Sequence, residues 1–135
     1  MTPADGSCRG STDSGRRRVL VVDDEPLIRW SVAESLSDIG HDVEQAADAS
    51  TALRMVTSTG RPFDVIVLDL RLPDMNDLSL LAMLRRLLPS AVLVLITADV
   101  TAEIISDAQA LGATVFDKPF ELEALKRAVM PPPHH

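Results

Sequence analysis

The chain has 135 residues and a mass of 14.6 kDa, enough for one domain with a real core. Its 46% apolar residues exclude a disordered composition; its net charge of −7 and pI of about 4.8 exclude the basic footprint of a nucleic-acid-binding module. The lone Cys8 excludes an internal disulfide and a cysteine-based zinc cluster, and no apolar run approaches the roughly 18 residues of a membrane helix or forms a signal peptide. These features predict a soluble, cytoplasmic, acidic domain.

Residues 1–16 carry few apolar side chains and read as a disordered tail, with Arg16, Arg17 and Arg18 a solvated flank of the first strand. Val19 to Val22 is an unbroken apolar run. Asp23-Asp24-Glu25-Pro26 follows, with Pro26 suited to the first turn of a helix that reaches Ile39. Ile28, Val32, Leu36 and Ile39 share one face of that helix, and Gly40 ends it. Val43 to Ala47 reads as a weaker strand, and Asp48 as the cap of a helix to Thr59. Val65 to Leu68 is the next strand, ending in Asp69. A loop from Leu70 to Asn76 leads to a helix over about 77–88. Ala91 to Ile96 is a strand ending in Thr97, followed by a helix over about 100–111. Thr114 to Phe116 is a short strand, and Glu121 to Met130 the last helix. Residues 131–135, Pro-Pro-Pro-His-His, stop that helix and read as a tail or linker.

Strands without polar alternation are buried on both faces, and their alternation with helices implies parallel βαβ units. The fold class is therefore α/β: a three-layer structure with a five-stranded parallel sheet and helices on both faces. In such sheets ligands bind beyond the carboxyl ends of the strands. Those ends carry Asp23, Asp24, Asp69 and Thr97, and Lys118-Pro119 lies just past the last strand. Singly, each has a bland reading: Asp24 as a helix cap, Asp69 as a turn former, Thr97 as a β-former, Lys118 as a solvated side chain. Together, three carboxylates on one rim resist ionisation without a cation, and Mg²⁺ suits a few carboxylates, waters and a phosphoryl oxygen. An Asp beside Mg²⁺ can act as a nucleophile, and a hydroxyl and an ammonium can take the remaining phosphoryl oxygens.

The segments Val21-Val-Asp-Asp-Glu-Pro-Leu-Ile-Arg29, Val67-Leu-Asp-Leu-Arg-Leu-Pro-Asp-Met75, Leu95-Ile-Thr-Ala98 and Asp117-Lys-Pro-Phe120 resemble the receiver domain of bacterial two-component response regulators. The resemblance covers about residues 17–130, and its wording is most similar to regulators of the nitrogen-regulatory type. It implies a flavodoxin-like sheet of order 2-1-3-4-5 and a phosphoryl group passed from a sensor histidine kinase to Asp69. It implies Mg²⁺ held by Asp24, Asp69 and the backbone carbonyl of Arg71, with Asp23 helping through water. Thr97 and Lys118 would hold phosphoryl oxygens, and the Lys118-Pro119 bond would be cis. The resemblance also implies phosphorylation-dependent homodimerisation through the fourth helix, fifth strand and fifth helix, and an effector domain after residue 130. It implies no nucleic-acid binding by this domain and no membrane.

Two positions depart from the family pattern. Asp77 stands where a Gly is usual, eight residues after Asp69. The switch aromatic usually lies three residues before the Lys, where this chain has Val115; Phe116 is adjacent. Because Val has little to move, Phe116 is expected to be the mobile residue coupled to Thr97. Two rival readings are a receiver-like binding module that is not phosphorylated and a Mg²⁺-dependent phosphatase. The second is disfavoured because Glu25 and Arg71 occupy the positions where such enzymes place a second Asp.

Overall fold

A computed structural model describes residues 17–58, 60–75 and 77–129. The expected tails at 1–16 and 131–135 lie outside the described residues. Five strands alternate with five helices: β1 (Arg18–Val22), α1 (Pro26–Asp38), β2 (Asp42–Ala46), α2 (Ala49–Thr57), β3 (Val65–Asp69), α3 (Ser79–Leu87), β4 (Val92–Thr97), α4 (Ala102–Ala110), β5 (Ala113–Asp117) and α5 (Leu122–Val129). All neighbouring strands pair in parallel, in the order β2-β1-β3-β4-β5, the flavodoxin-like arrangement.

The sequence explains which strands are central. Val65 to Asp69 is buried along its whole length, whereas Asp42-Val-Glu-Gln-Ala46, at the sheet edge, is only partly buried. Alternation along the central strands divides the core in two. Leu20, Val22, Leu68, Leu93 and Leu95 pack beneath α2, α3 and α4, with Leu81, Leu84 and Ala108 among their partners. Val19, Val21, Val67, Val94 and Ile96 pack against Val32 and Leu36 of α1 and Leu125 and Val129 of α5. Three helices therefore cover one face and two the other.

Helix starts follow local chemistry. Pro26 opens α1, the Asp48 carboxylate accepts from Thr51 N at 2.7 Å to cap α2, and Thr101 Oγ1 accepts from Ile104 N at 3.1 Å to cap α4. The helix expected from residue 77 begins at Ser79, with Leu78 at its N-cap; the Asp77 carboxylate accepts from Ser79 N at 2.9 Å, an Asx turn that leads the chain into the helix. That hydrogen bond holds the Asp77 carboxyl below its usual range. Ile39, expected on the buried face of α1, falls past the last helical residue and is 41% exposed.

Candidate functional site

The strand ends on one side of the sheet carry the residues singled out above. Asp23 follows β1 directly and is 4% exposed; its carboxylate accepts from Glu25 N at 2.9 Å, fixing the bend into α1. Arg29 Nη1 donates to Asp23 O at 2.8 Å and ties the same bend to the first turns of α1. Asp24 is exposed. Asp69, the last residue of β3, is buried, and its Oδ1 accepts from Arg71 N at 3.2 Å. Thr97, the last residue of β4, is fully buried, and its Oγ1 accepts from Asp99 N at 3.0 Å.

One carboxylate oxygen from each of Asp23, Asp24 and Asp69 lies within 4.8 Å of the others. Lys118 reaches into this group from beyond β5, across a cis bond to Pro119. Its Nζ is 3.1 Å from Glu25 Oε1, 3.2 Å from Asp69 Oδ2 and 3.7 Å from Asp23 Oδ2. Beside them opens a cleft of about 350 Å³, lined by Asp24, Glu25, Asp69, Arg71, Thr97 and Lys118 among others.

Burial pushes the Asp23 carboxyl up to about 6, and the Asp69 charge adds to this against the opposing Glu25 N–H and Lys118. Burial alone would lower the Lys118 ammonium, but Glu25, Asp23 and Asp69 outweigh it and hold its pKa above the usual value. The cluster is thus over-anionic with one ammonium as its nearest cation. Hard oxygen donors at this spacing, one of them prone to protonate, fit a divalent cation such as Mg²⁺.

All of Asp23, Asp24, Asp69, Thr97 and Lys118 gather at this rim; Phe116 does not. Leu93 and Leu95 face α2–α4 while Val94 and Ile96 face α1 and α5, so alternation directs Thr97 to the α2–α4 side. In the parallel register Leu95 pairs with Val115 and Ile96 with Phe116. Val115 packs with the Leu95 group and Phe116 with the Ile96 group. The expected coupling of Phe116 to Thr97 is corrected on this point, since the pleat puts the two on opposite faces and Val115 on the Thr97 face. Phe116 belongs to the core under α1 and α5.

Three contacts at the rim escaped sequence reasoning. Glu25 shares Lys118 with the aspartates, Arg71 Nε donates to Asp99 across the cleft mouth, and Asp74 binds the start of α2. Glu25 and Lys118 are 93 residues apart, and only the strand order shows that they meet.

The family model described as "Response regulator receiver domain" matches residues 19–130. The chain belongs to this family. As a receiver domain it is a phosphoryl-accepting module of two-component signalling, a phosphoacceptor rather than a turnover enzyme, and its family's partner is a histidine kinase. The receiver is similar to the probable transcriptional regulatory protein TcrX of Mycobacterium tuberculosis, with 40% identity over 78% of this chain and 44% of that protein. It spans less than half of that relative. It is also similar to sporulation initiation phosphotransferase F of Bacillus subtilis, with 32% identity over 83% of this chain and 90% of that one. Among solved structures, the non-phosphorylated HemR receiver domain of Leptospira biflexa matches with a TM-score of 0.76 and 30% identity, covering 88% of this chain and 99% of that one. The nitrogen-regulatory placement finds no support among these relatives. Among the described residues no helix is long and apolar enough to cross a membrane.

Proposed function

We propose that Asp69 is the phosphoryl acceptor, receiving the group from a histidine kinase in the cytoplasm. The observation that carries this is Lys118 Nζ at 3.2 Å from Asp69 Oδ2, opposite the Asp23 and Asp24 carboxylates and beside an open cleft. Asp24, Asp69 and the backbone carbonyl of Arg71 would hold Mg²⁺, with Asp23 helping through water, and the ion would supply positive charge against the incoming phosphoryl oxygens. Asp69 Oδ attacks phosphorus, and the bond to the donor breaks with its electron pair leaving on the donor. Lys118 and the Thr97 hydroxyl take phosphoryl oxygens, Thr97 donating its O–H while its Oγ1 still accepts from Asp99 N.

An apolar cleft of about 480 Å³ next to Lys118, lined by Leu27, Ile28, Pro119, Phe120 and Leu122, supports kinase docking over α1 and the start of α5. Phosphorylation-dependent pairing would use α4, β5 and α5. Glu103, Asp107, Glu121 and Arg127 are exposed there, while Lys126 is already paired with Glu123 at 3.0 Å. Exposed ion pairs are weak, so the pairing is a monomer–dimer equilibrium. Sedimentation with and without beryllofluoride tests it, and a monomer in both conditions removes it. An effector domain beyond residue 130 would make the whole protein resemble TcrX, of which this chain covers 44%, rather than sporulation initiation phosphotransferase F, of which it covers 90%.

The decisive experiment treats wild type and Asp69→Asn with acetyl phosphate and reads intact mass, with Mg²⁺ and with chelator. Wild type gains one phosphoryl group with Mg²⁺ alone, and the variant gains none. Equal labelling of both proteins rejects Asp69 as the acceptor.

A further inference from the structure

Asp74 stands five residues beyond Asp69, in the β3–α3 connection, and both its oxygens are engaged far away in sequence. Oδ1 accepts from Ala49 N and Oδ2 from Ser50 N, each at 2.9 Å. These are the first two residues of α2. The helix already has its own cap in Asp48, which takes Thr51 N at 2.7 Å. Asp48 and Asp74 thus divide the open amides of one helix start between them, and the positive end of the helix favours both charges. Asp48 is a local cap. Asp74 joins that helix start to another part of the chain, so its bonds fix the loop as much as the helix.

The loop is short and stiff where Asp74 enters it. Leu72 N donates to Met75 O at 3.1 Å and Met75 N to Leu72 O at 3.3 Å, closing Leu72-Pro73-Asp74-Met75 into one turn. Leu72 is buried, which pins the turn at its near end. The turn hangs between that apolar anchor and the Asp74 carboxylate, and clamping both ends leaves it one orientation. Only Leu70 and Arg71 separate the turn from Asp69, and Arg71 N donates to the Asp69 carboxylate at 3.2 Å.

We propose that Asp74 is a positioning residue for the cation site: by stapling the β3–α3 turn to α2, it holds the Arg71 peptide in place as an oxygen donor. This rests on the metal reading above. The carboxylates of that site stand at strand ends set by the sheet. Its remaining donor is a loop carbonyl, which is only as well placed as the loop's anchors. Groups that orient a ligand without touching the metal commonly govern affinity as strongly as ligands do.

The test measures Mg²⁺ affinity by calorimetry, and independently by the Mg²⁺ dependence of the melting temperature, in wild type, Asp74→Ala, Asp74→Asn and Asp48→Ala. Asp74→Ala weakens Mg²⁺ binding by about tenfold or more. Asp74→Asn keeps one acceptor oxygen and loses less. Asp48→Ala uncaps the same helix and lowers the melting temperature, yet leaves Mg²⁺ affinity unchanged. If Asp74→Ala binds Mg²⁺ like wild type, or Asp48→Ala loses as much affinity, the positioning role is overturned. Should Asp74→Ala fail to fold, Asp74→Asn decides: affinity equal to wild type overturns the role, and a partial loss supports it. A wild-type chain that does not bind Mg²⁺ refutes the metal reading itself, an outcome distinct from both.

Discussion

The guanidinium of Arg85 occupies the space that a side chain on Gly112 would need, for a Cβ there would stand 3.2 Å from Nη2. Gly112 has φ of +79°, so its conformation favours glycine, and a Cβ there would also press on the Arg85 guanidinium. Arg85 donates from Nε to Leu111 O at 2.8 Å and from Nη1 to Leu88, Pro89 and Ala91 O at 3.2, 2.9 and 3.0 Å. One side chain thereby ties the end of α3, the approach to β4 and the turn into β5. Arg85→Ala should cost about 2–3 kcal/mol, the scale of losing bonds from a charged donor. Arg85→Lys should recover less than half, because a single ammonium cannot span the acceptors of a planar fork. Urea denaturation measures both, and a loss below about 0.5 kcal/mol for Arg85→Ala would mean that water serves those carbonyls equally well.

Asp23 makes stability depend on pH in a definite direction. Its folded pKa is raised to about 6 from 3.8, so the folded state prefers the protonated acid. The associated stability is fully present below about pH 3.8 and is lost as pH rises through 6. In chelator, Asp23→Asn should melt higher than wild type at pH 8 and equal to it near pH 4, read as the difference between the two melting curves. With Mg²⁺ at pH 8 the order reverses, because the variant lacks a carboxylate that supports the ion. A variant no more stable than wild type at pH 8 in chelator contradicts the cost of burying the Asp23 charge beside Asp69.

His41 acts oppositely. Burial, and then the Arg17 charge, lower its pKa from 6.5, and its Nδ1 accepts from Arg17 N at 3.0 Å, a bond that imidazolium cannot keep. Its stabilising neutral form is present above pH 6.5 and lost as pH falls through the lower folded value. His41→Gln should flatten the fall in melting temperature between pH 7 and pH 5, about where histidine titrates. The Asp23 and His41 effects oppose one another in that window, so the wild-type slope alone identifies neither and the variants must be compared. An unaltered slope in His41→Gln assigns the acid sensitivity elsewhere.

Phe116 packs under α1 and α5 and is partly buried, so its removal reads as a core deletion. Phe116→Ala should lose about 2–3 kcal/mol, below the full range for a wholly buried Phe. It should leave beryllofluoride-induced association in place at temperatures where the variant is folded. Loss of association with little loss of stability would restore Phe116 as the moving part.

The strands and five of the six expected side chains at the rim were legible because each rests on a local pattern, an apolar run with a polar residue at or just past its carboxyl end; the sheet order was implied only by the resemblance to the receiver family. Phe116 was misplaced because its choice over Val115 rested on side-chain size. The face that each presents depends on register with β4, which no local pattern carries. Asp74 escaped for a related reason, since its partners Ala49 and Ser50 become neighbours only through the fold. Asp77 looked like a defect in a glycine position; its carboxylate closes an Asx turn on Ser79 N just before the helix.

The 93 residues between Glu25 and Lys118 have a consequence for biosynthesis. The three carboxylates that pair with Lys118, those of Asp23, Glu25 and Asp69, all precede residue 70, yet the ammonium lies in the connection after β5. A nascent chain that has made β1 to β4 would hold an acidic pocket with neither its lysine nor the β5 edge. Contacts of such long sequence separation form late. The contacts of Lys118 with Glu25, Asp69 and Asp23 can therefore form only once synthesis has passed residue 118.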